Sequence, residues 1–289
     1  MIAGEVAASR MRLHEILAEM GSAVIAYSGG VDSTLLVRAA ADVHGFQFVA
    51  LTTSSSTNTD EEVADATRLA ADIGVRHIVV DVDELATPGY AENPPNRCYL
   101  CKQTLYPVCA RIAADEGFLW IADGVNTDDL KDYRPGLAAA VEHGVRHPLV
   151  EAGLSKALVR ELSRHYGLPT ADQPASPCLS SRFPYGTAIT REGLAQVAAA
   201  EAALRALGFL ELRVRYLGST ARVEVSAPEV ARLGDPSTRD RVRAAVLAAG
   251  FADVVLSDRP LRSGSLNDAL TKTTIDSAVP PRESGPRPS

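Results

Sequence analysis

The chain has 289 residues, 46% of them hydrophobic, and a formal net charge of −7. That length holds one large domain or two modest ones around a substantial core. The acidic balance argues against a nucleic-acid partner, whose phosphates call for clustered Lys and Arg, but it leaves room for a basic pocket around one small anion.

In chain order, residues 1–22 mix Glu5, Glu15 and Glu19 with apolar side chains, the pattern of an amphipathic helix and not of a signal peptide. No apolar run approaches a membrane span, so no membrane partner and a cytoplasmic location are expected. Cysteines there stay reduced, and a close pair points to metal or redox chemistry before a disulfide.

Strand and helix patterns then alternate. Residues 23–27 (AVIAY) read as a buried strand, 34–43 as a helix, 46–53 as a strand and 60–73 as a helix. A third strand is expected at 76–83, a helix at 102–115 and a fourth strand at 118–122. Such repetition predicts a doubly wound parallel α/β sheet with helices on both faces. Ligands of these sheets bind beyond the carboxyl ends of the strands.

Pro169, Pro174, Pro177 and Pro184 interrupt the stretch 168–185, marking a boundary or a functional loop. Beyond it, a helix at 191–207, strands at 211–217 and 221–226 around Gly218, a helix at 238–249 and a strand at 253–257 predict a second, smaller α/β domain. The expected division is 1–176, 177–270 and a disordered Pro/Ser/Gly-rich tail at 271–289.

Between the first strand and its helix lies Ser28-Gly29-Gly30-Val31-Asp32-Ser33. Gly29 and Gly30 allow close approach to a phosphate and positive φ. The amides of the next helix point at the ligand, and its dipole favours negative charge. Ser28 and Ser33 add hydroxyl donors, while Asp32 has two uses: capping the helix or holding Mg²⁺. A plain Gly-rich turn is the alternative. The loop lacks the Gly-Lys-Ser/Thr ending of a Walker A motif. It resembles the PP-loop of ATP pyrophosphatases, which cleave between the α- and β-phosphates and leave AMP on a substrate oxygen.

After the fourth strand, Asp123-Gly124-Val125-Asn126-Thr127-Asp128-Asp129 gathers three carboxylates and an amide. These suit Mg²⁺, and an Asx-rich turn is the alternative. Cys98 and Cys101 form a C-x-x-C at the head of a helix, and Cys178 lies far downstream. No second pair completes a zinc site. Three thiolates on a 4Fe–4S cluster leave one iron open for an extra sulfide, and three unrelated reduced cysteines remain the alternative. Arg97 and Lys102 beside the pair are expected to lower its pKa values. Cys109, inside an amphipathic helix, reads as a core residue.

Taken together, SGGVDS at 28–33, DGVNTDD at 123–129, LSKALVREL at 154–162, LPTADQPASPCLSSRFPYG at 168–186 and LRVRYLGSTARVEV at 212–225 resemble the LarE family of ATP-dependent sulfur transferases. The resemblance covers most of the chain to about residue 258. It implies adenylation of a carboxylate on a pyridinium dicarboxylate mononucleotide, then replacement of AMP by sulfur, in nickel-pincer nucleotide synthesis. Single-cysteine members give up the sulfur of the residue matching Cys178 and end as dehydroalanine. The added Cys98 and Cys101 look like the branch whose three cysteines hold a 4Fe–4S cluster. The implied catalytic residues are Cys178, Asp32 and Lys102. ATP and Mg²⁺ fall to Ser28, Gly29, Gly30, Asp32, Ser33, Asp123, Gly124, Asn126 and Asp128. Ser181, Arg182, Glu201, Arg213 and Arg215 fall to the substrate phosphate, and family members assemble into homo-oligomers.

From pattern alone, Arg213 and Arg215 share one strand face, as an ordinary solvated face or as guanidinium forks for phosphate. Glu201, on the apolar stripe of its helix, is costly unless paired and is expected to face Arg182, Arg213 and Arg215. A PP-loop tRNA thiolase is the rival reading, disfavoured by the acidic balance.

Overall fold

The computed structural model describes residues 2–262 together with 264, 266 and 270. The expected disordered tail at 271–289 lies outside the described residues. Among them, no helix is long and apolar enough to cross a membrane.

Four strands, β1 (Ser22–Ala26), β2 (Gln47–Ser54), β3 (His77–Asp81) and β4 (Trp120–Ala122), form a wholly parallel sheet in the order β3-β2-β1-β4. Alternating side chains feed two layers. Ala23, Ile25, Ala50 and Ala122 face α1 (Ile2–Met20), α2 (Val31–Ala41), α3 (Asp60–Ile73) and the later α7 (Lys156–His165). Val24, Ala26, Val49, Leu51 and Ile121 face α4 (Arg97–Glu116) and α5 (Gly136–Glu142). A short α6 (Pro148–Glu151) precedes α7. The connection after β1 runs toward β2, whereas β4 lies on the other side of β1. The crevice between β1 and β4 is therefore the topological switch point, where ligands of such sheets bind.

Local chemistry sets the boundaries. The α3 bounds coincide with the expectation because Thr59 and Glu62 form a reciprocal capping box and Gly74 closes the helix at φ 82°. The expected start of α4 at 102 is corrected to Arg97: the helix begins directly after Pro94-Pro95-Asn96, and both C-x-x-C cysteines lie inside it.

The second lobe holds β5 (Leu212–Leu217), β6 (Thr220–Val225) and β7 (Asp253–Leu256). β5 and β6 form the expected antiparallel hairpin, turning at Gly218 with φ 70°. β7 joins β6 in parallel after α9 (Ala227–Val230) and α10 (Pro236–Ala248). Leu212, Val214, Val223, Val225 and Val254 bury one face with Leu194, Val197 and Leu204 of α8 (Arg191–Ala206) and Val242 and Val246 of α10.

The lobes are not divided cleanly at 176. The segment from Glu84 to Cys101, between β3 and α4, packs on the second core through Leu85, Tyr90, Leu100 and Cys101. Asn93 is its hub, fully buried and held at φ 56°. Its amide group donates to the carbonyls of Phe183, Pro184 and Thr187 at 3.3, 2.8 and 3.0 Å. A positive φ in a non-glycine residue is strained and persists only where surrounding bonds over-determine it. This anchor fixes the C-x-x-C helix against the Cys178 loop.

Candidate active site

The β1–α2 loop has the geometry of an anion cradle. Gly29 takes φ 73°, and a Cβ there would lie 3.0 Å from Cβ of Ala66 in α3, so only glycine fits. Gly30 does not share the expected positive φ: it is extended at φ −74° and serves as the N-cap of α2. It makes no side-chain cap, which leaves the first-turn amides of α2 for a ligand. Ser33 Oγ accepts from the Ser28 amide at 3.2 Å and lies 3.2 Å from Ser28 Oγ, holding the loop closed.

Asp32 does not cap the helix. Its Oδ1 accepts from Nδ2 of Asn126 at 3.1 Å, and its Oδ2 from Nζ of Lys156 at 2.5 Å. The two loops of the switch point thereby meet. They pack so closely that a Cβ on Gly124 would fall 2.8 Å from the Ser33 amide nitrogen.

Within the second loop the carboxylates form Asx-type turns. Asp123 accepts from the Val125 amide, Asn126 from the Asp128 amide and Asp129 from the Asn126 amide. Asp123 also accepts from Tyr106 Oη at 2.8 Å and lies 2.7 Å from Nδ1 of His147. Burial pushes the Asp123 carboxyl up, but His147, Lys102 and Tyr106 together hold it below the usual range. Asp128 pairs with Lys131 at 2.9 Å and accepts from the Lys156 amide at 2.9 Å. Lys102 lies 5.1 Å from the centre of the Tyr106 ring, and its charge acts on Asp123 and on Cys101.

The cysteines converge from two elements. Cys98 is exposed, Cys101 and Cys178 are partly buried, and Cys109 lies in the core as expected. The lowering of thiol pKa anticipated for the C-x-x-C pair does not occur at Cys101. Burial pushes the Cys101 thiol up, the Cys178 charge adds to it, and Lys102 only partly opposes them. At Cys178, burial again outweighs the nearby Arg97 and Arg182 guanidinium groups. The mutual charge effects place Cys98, Cys101 and Cys178 in one electrostatic neighbourhood. Among the described residues, no three His, Cys, Asp or Glu side chains are arranged to hold a metal ion. The donor chemistry does suit an iron–sulfur cluster, which is ligated by thiolates.

Arg97, in sequence only a neighbour of Cys98, is buried at 4% exposure and donates to the Ser180 carbonyl at 2.9 Å and to Asn93 Oδ1. Tyr90 Oη lies 2.8 Å from Ser180 Oγ. On the other side of the loop, the Leu179 amide donates to the Thr57 carbonyl beyond β2 at 2.9 Å.

Arg182 and Glu201 form a bidentate pair at 2.8 and 2.9 Å, both almost fully buried. Arg182 also donates to the carbonyls of Pro177 and Cys178 and to Ser181 Oγ at 2.9 Å, so it is turned into the Cys178 loop. Glu201 further accepts from the Val214 amide and from Arg205. Burial raises its carboxyl, and Arg182, Val214 and Arg205 more than reverse this. Arg215 pairs with Glu224 at 2.9 Å and donates to the Ser181 carbonyl at 2.9 Å. Arg213 donates to the carbonyls of Leu212 and Ala175, both at 2.7 Å, and makes no ion pair among the described residues. Burial and the Arg182 charge bring its pKa down to about 10, so it remains a cation at neutral pH.

A shallow cavity of about 440 Å³ lined by Phe46, Gln47, Val75, Arg76 and Phe118 opens at the amino ends of the strands, the wrong end of the sheet for the nucleotide.

A parallel sheet with a phosphate cradle at its switch point and a cysteine loop over its carboxyl ends defines a PP-loop enzyme, an ATP-dependent sulfurtransferase. The family described as Queuosine biosynthesis protein QueC matches residues 22–91, which include the cradle. The "Uncharacterized protein slr1717" of Synechocystis is 44% identical, covering 90% of this chain and 97% of the relative. The pyridinium-3,5-bisthiocarboxylic acid mononucleotide synthase of Lactiplantibacillus plantarum is 40% identical over 272 residues, 93% of this chain and 98% of the relative. A tRNA-specific 2-thiouridylase MnmA of Xanthobacter autotrophicus is 29% identical over 53% of this chain and 49% of its own length. The chain belongs to the LarE family, that of the pyridinium-3,5-bisthiocarboxylic acid mononucleotide synthase.

Proposed function

We propose that the protein adenylates ring carboxylates of pyridinium-3,5-biscarboxylic acid mononucleotide and converts them to thiocarboxylates, the product named for its Lactiplantibacillus relative. The supporting observation is the placement of the Cys178 loop. It is bonded to the nucleotide lobe through Leu179 and Thr57, and to the arginine-bearing strand through Ser181 with Arg215 and Ala175 with Arg213.

In this reading the α2 amides, Gly29, Gly30, Ser28 and Ser33 cradle the ATP phosphates, and Asp32 receives Mg²⁺. Asp123, Gly124, Asn126 and Asp128 shape the facing wall. A substrate carboxylate oxygen attacks the α-phosphorus, the bond to the bridging oxygen breaks, and pyrophosphate leaves with the electron pair. Arg213, Arg215 and Ser181 hold the phosphate of the mononucleotide, while Arg182 and Glu201 fix the loop. Lys102 stabilises negative charge between the cysteines and the acyl adenylate.

Cys98, Cys101 and Cys178 would hold a 4Fe–4S cluster, whose open iron supplies a bound sulfide as nucleophile. In a second reading Cys178, seated between the nucleotide lobe and the arginine-bearing strand, donates its own sulfur. Anaerobic iron–sulfide reconstitution followed by turnover with ATP, sulfide and the mononucleotide separates the two. Repeated turnover with Cys178 intact supports the cluster. Loss of the mass of H₂S from Cys178 after one turnover supports donation by the residue. No thiocarboxylate under either condition contradicts the function itself.

A further inference from the structure

Glu84 opens the short helical turn Glu84–Ala86 between β3 and α4, and the proposed reaction makes no use of it. The residue is 4% exposed, and among the described residues no Lys, Arg or His forms an ion pair with it. Its Oε1 accepts from Thr57 Oγ1 at 3.3 Å, longer than the usual separation of about 2.7–2.8 Å between oxygens. Its Oε2 is buried with no hydrogen-bond partner. A carboxylate in the interior is expensive unless a cation or further donors meet it.

The loop that faces it, between β2 and α3, is also short of donors. Ser55 Oγ lies 3.0 Å from Thr57 Oγ1 and donates to Asn58 Oδ1 at 3.3 Å. With the Ser55 proton on Asn58, the single Thr57 proton is left to serve both Ser55 and Glu84. Ser56 Oγ is buried without a partner. Four side-chain oxygens, one of them charged, thus follow one another with too few hydrogens between them. The charge of Glu84 also reaches Cys101 and Tyr90, and the Thr57 carbonyl accepts the Leu179 amide at 2.9 Å, so this loop adjoins the seat of Cys178.

We propose that Glu84, Thr57, Ser55 and Asn58 form a site for a monovalent cation of the size of K⁺, separate from the magnesium of ATP. Hard cations take oxygen ligands, and divalent ones gather more carboxylates than the single one here. K⁺ sheds its water more readily than Na⁺ or Li⁺, which suits a buried site made mostly of neutral oxygens. The ion neutralises Glu84, replaces the missing hydrogen bonds and braces the loop that holds Leu179 beside Cys178.

The test is calorimetric melting of the full chain, without nucleotide or substrate, in potassium chloride and in tetramethylammonium chloride at equal ionic strength. Tetramethylammonium is too large for the site. In wild type, K⁺ at about 100 mM should raise Tm by roughly 3 °C or more over the bulky cation. Glu84→Gln and Thr57→Val should each lose most of that difference. Equal wild-type Tm in the two salts overturns the proposal, as does a K⁺ effect that survives Glu84→Gln. Should neither variant fold, wild-type crystals soaked in Tl⁺ decide the matter. An anomalous peak in contact with Glu84 Oε2 and Thr57 Oγ1 supports the site, and no peak there overturns it.

Discussion

Arg182 and Glu201 face each other in a two-bond clasp at 2.8 and 2.9 Å, with side-chain exposures of 2% and 1%. The same guanidinium holds the Pro177 and Cys178 carbonyls, so the ion pair connects α8 to the loop that carries Cys178. Removing one partner strands a buried charge. Glu201→Ala should therefore cost about 3–5 kcal/mol of stability, read from the denaturation midpoint. The pH dependence follows from the lowered carboxyl. Its contribution is complete above the unfolded value of about 4.3 and is lost as pH falls through the folded value. Acid unfolding of Glu201→Gln should lack this component, and an unaltered acid limb contradicts it.

The thiols supply a second expectation. A raised pKa means less thiolate at a given pH, and thiolate is the reactive form. In the metal-free protein at pH 8, a small alkylating agent should label exposed Cys98 first and leave Cys101 and Cys178 largely untouched. Cys109, fully buried and pushed up to about 12, should be labelled only on unfolding. Peptide mass spectrometry reads the order, and labelling of Cys178 as fast as Cys98 contradicts the burial argument.

Gly124 is where the two switch-point loops touch. Gly124→Ala drives a Cβ to 2.8 Å from the Ser33 amide nitrogen and 3.0 Å from the Asp32 carbonyl carbon, both backbone atoms that cannot rotate away. The cradle must shift, at a cost of about 1–3 kcal/mol, and ATP affinity should fall. Retention of wild-type affinity shows that the cradle does not depend on this close approach.

Arg213 carries no ion pair among the described residues and is charged at neutral pH. Arg213→Ala should raise the KM for the mononucleotide by roughly tenfold or more and leave a nucleoside analogue without phosphate unaffected. Because its pKa lies near 10, wild-type affinity for the mononucleotide should weaken as pH passes that value. An equal loss for both substrates contradicts a phosphate-binding role.

Local signals carry much of the fold in the sequence. Apolar runs mark the parallel strands, Thr59 and Gly74 set the ends of α3, and Gly218 marks the hairpin. The cradle is legible for the same reason, being one contiguous string. What stays hidden depends on distant partners. Lys156 looks like any lysine at a helix start until Asp32 is found beside it. Tyr90 and Asn93 sit in a stretch without periodicity, and their importance comes from bonds to residues about ninety positions away. The Cys101 pKa runs against the expectation because nearby charges are visible in sequence and burial is not.

In the proposed reaction ATP is split between its α- and β-phosphates to place sulfur on a carboxylate. The direct measurement follows nucleotide and product together during turnover with the pyridinium dicarboxylate mononucleotide. One AMP and one pyrophosphate should appear for each thiocarboxylate formed, with Asp32→Asn abolishing all three in step. Formation of ADP and phosphate, or of thiocarboxylate without AMP, contradicts it.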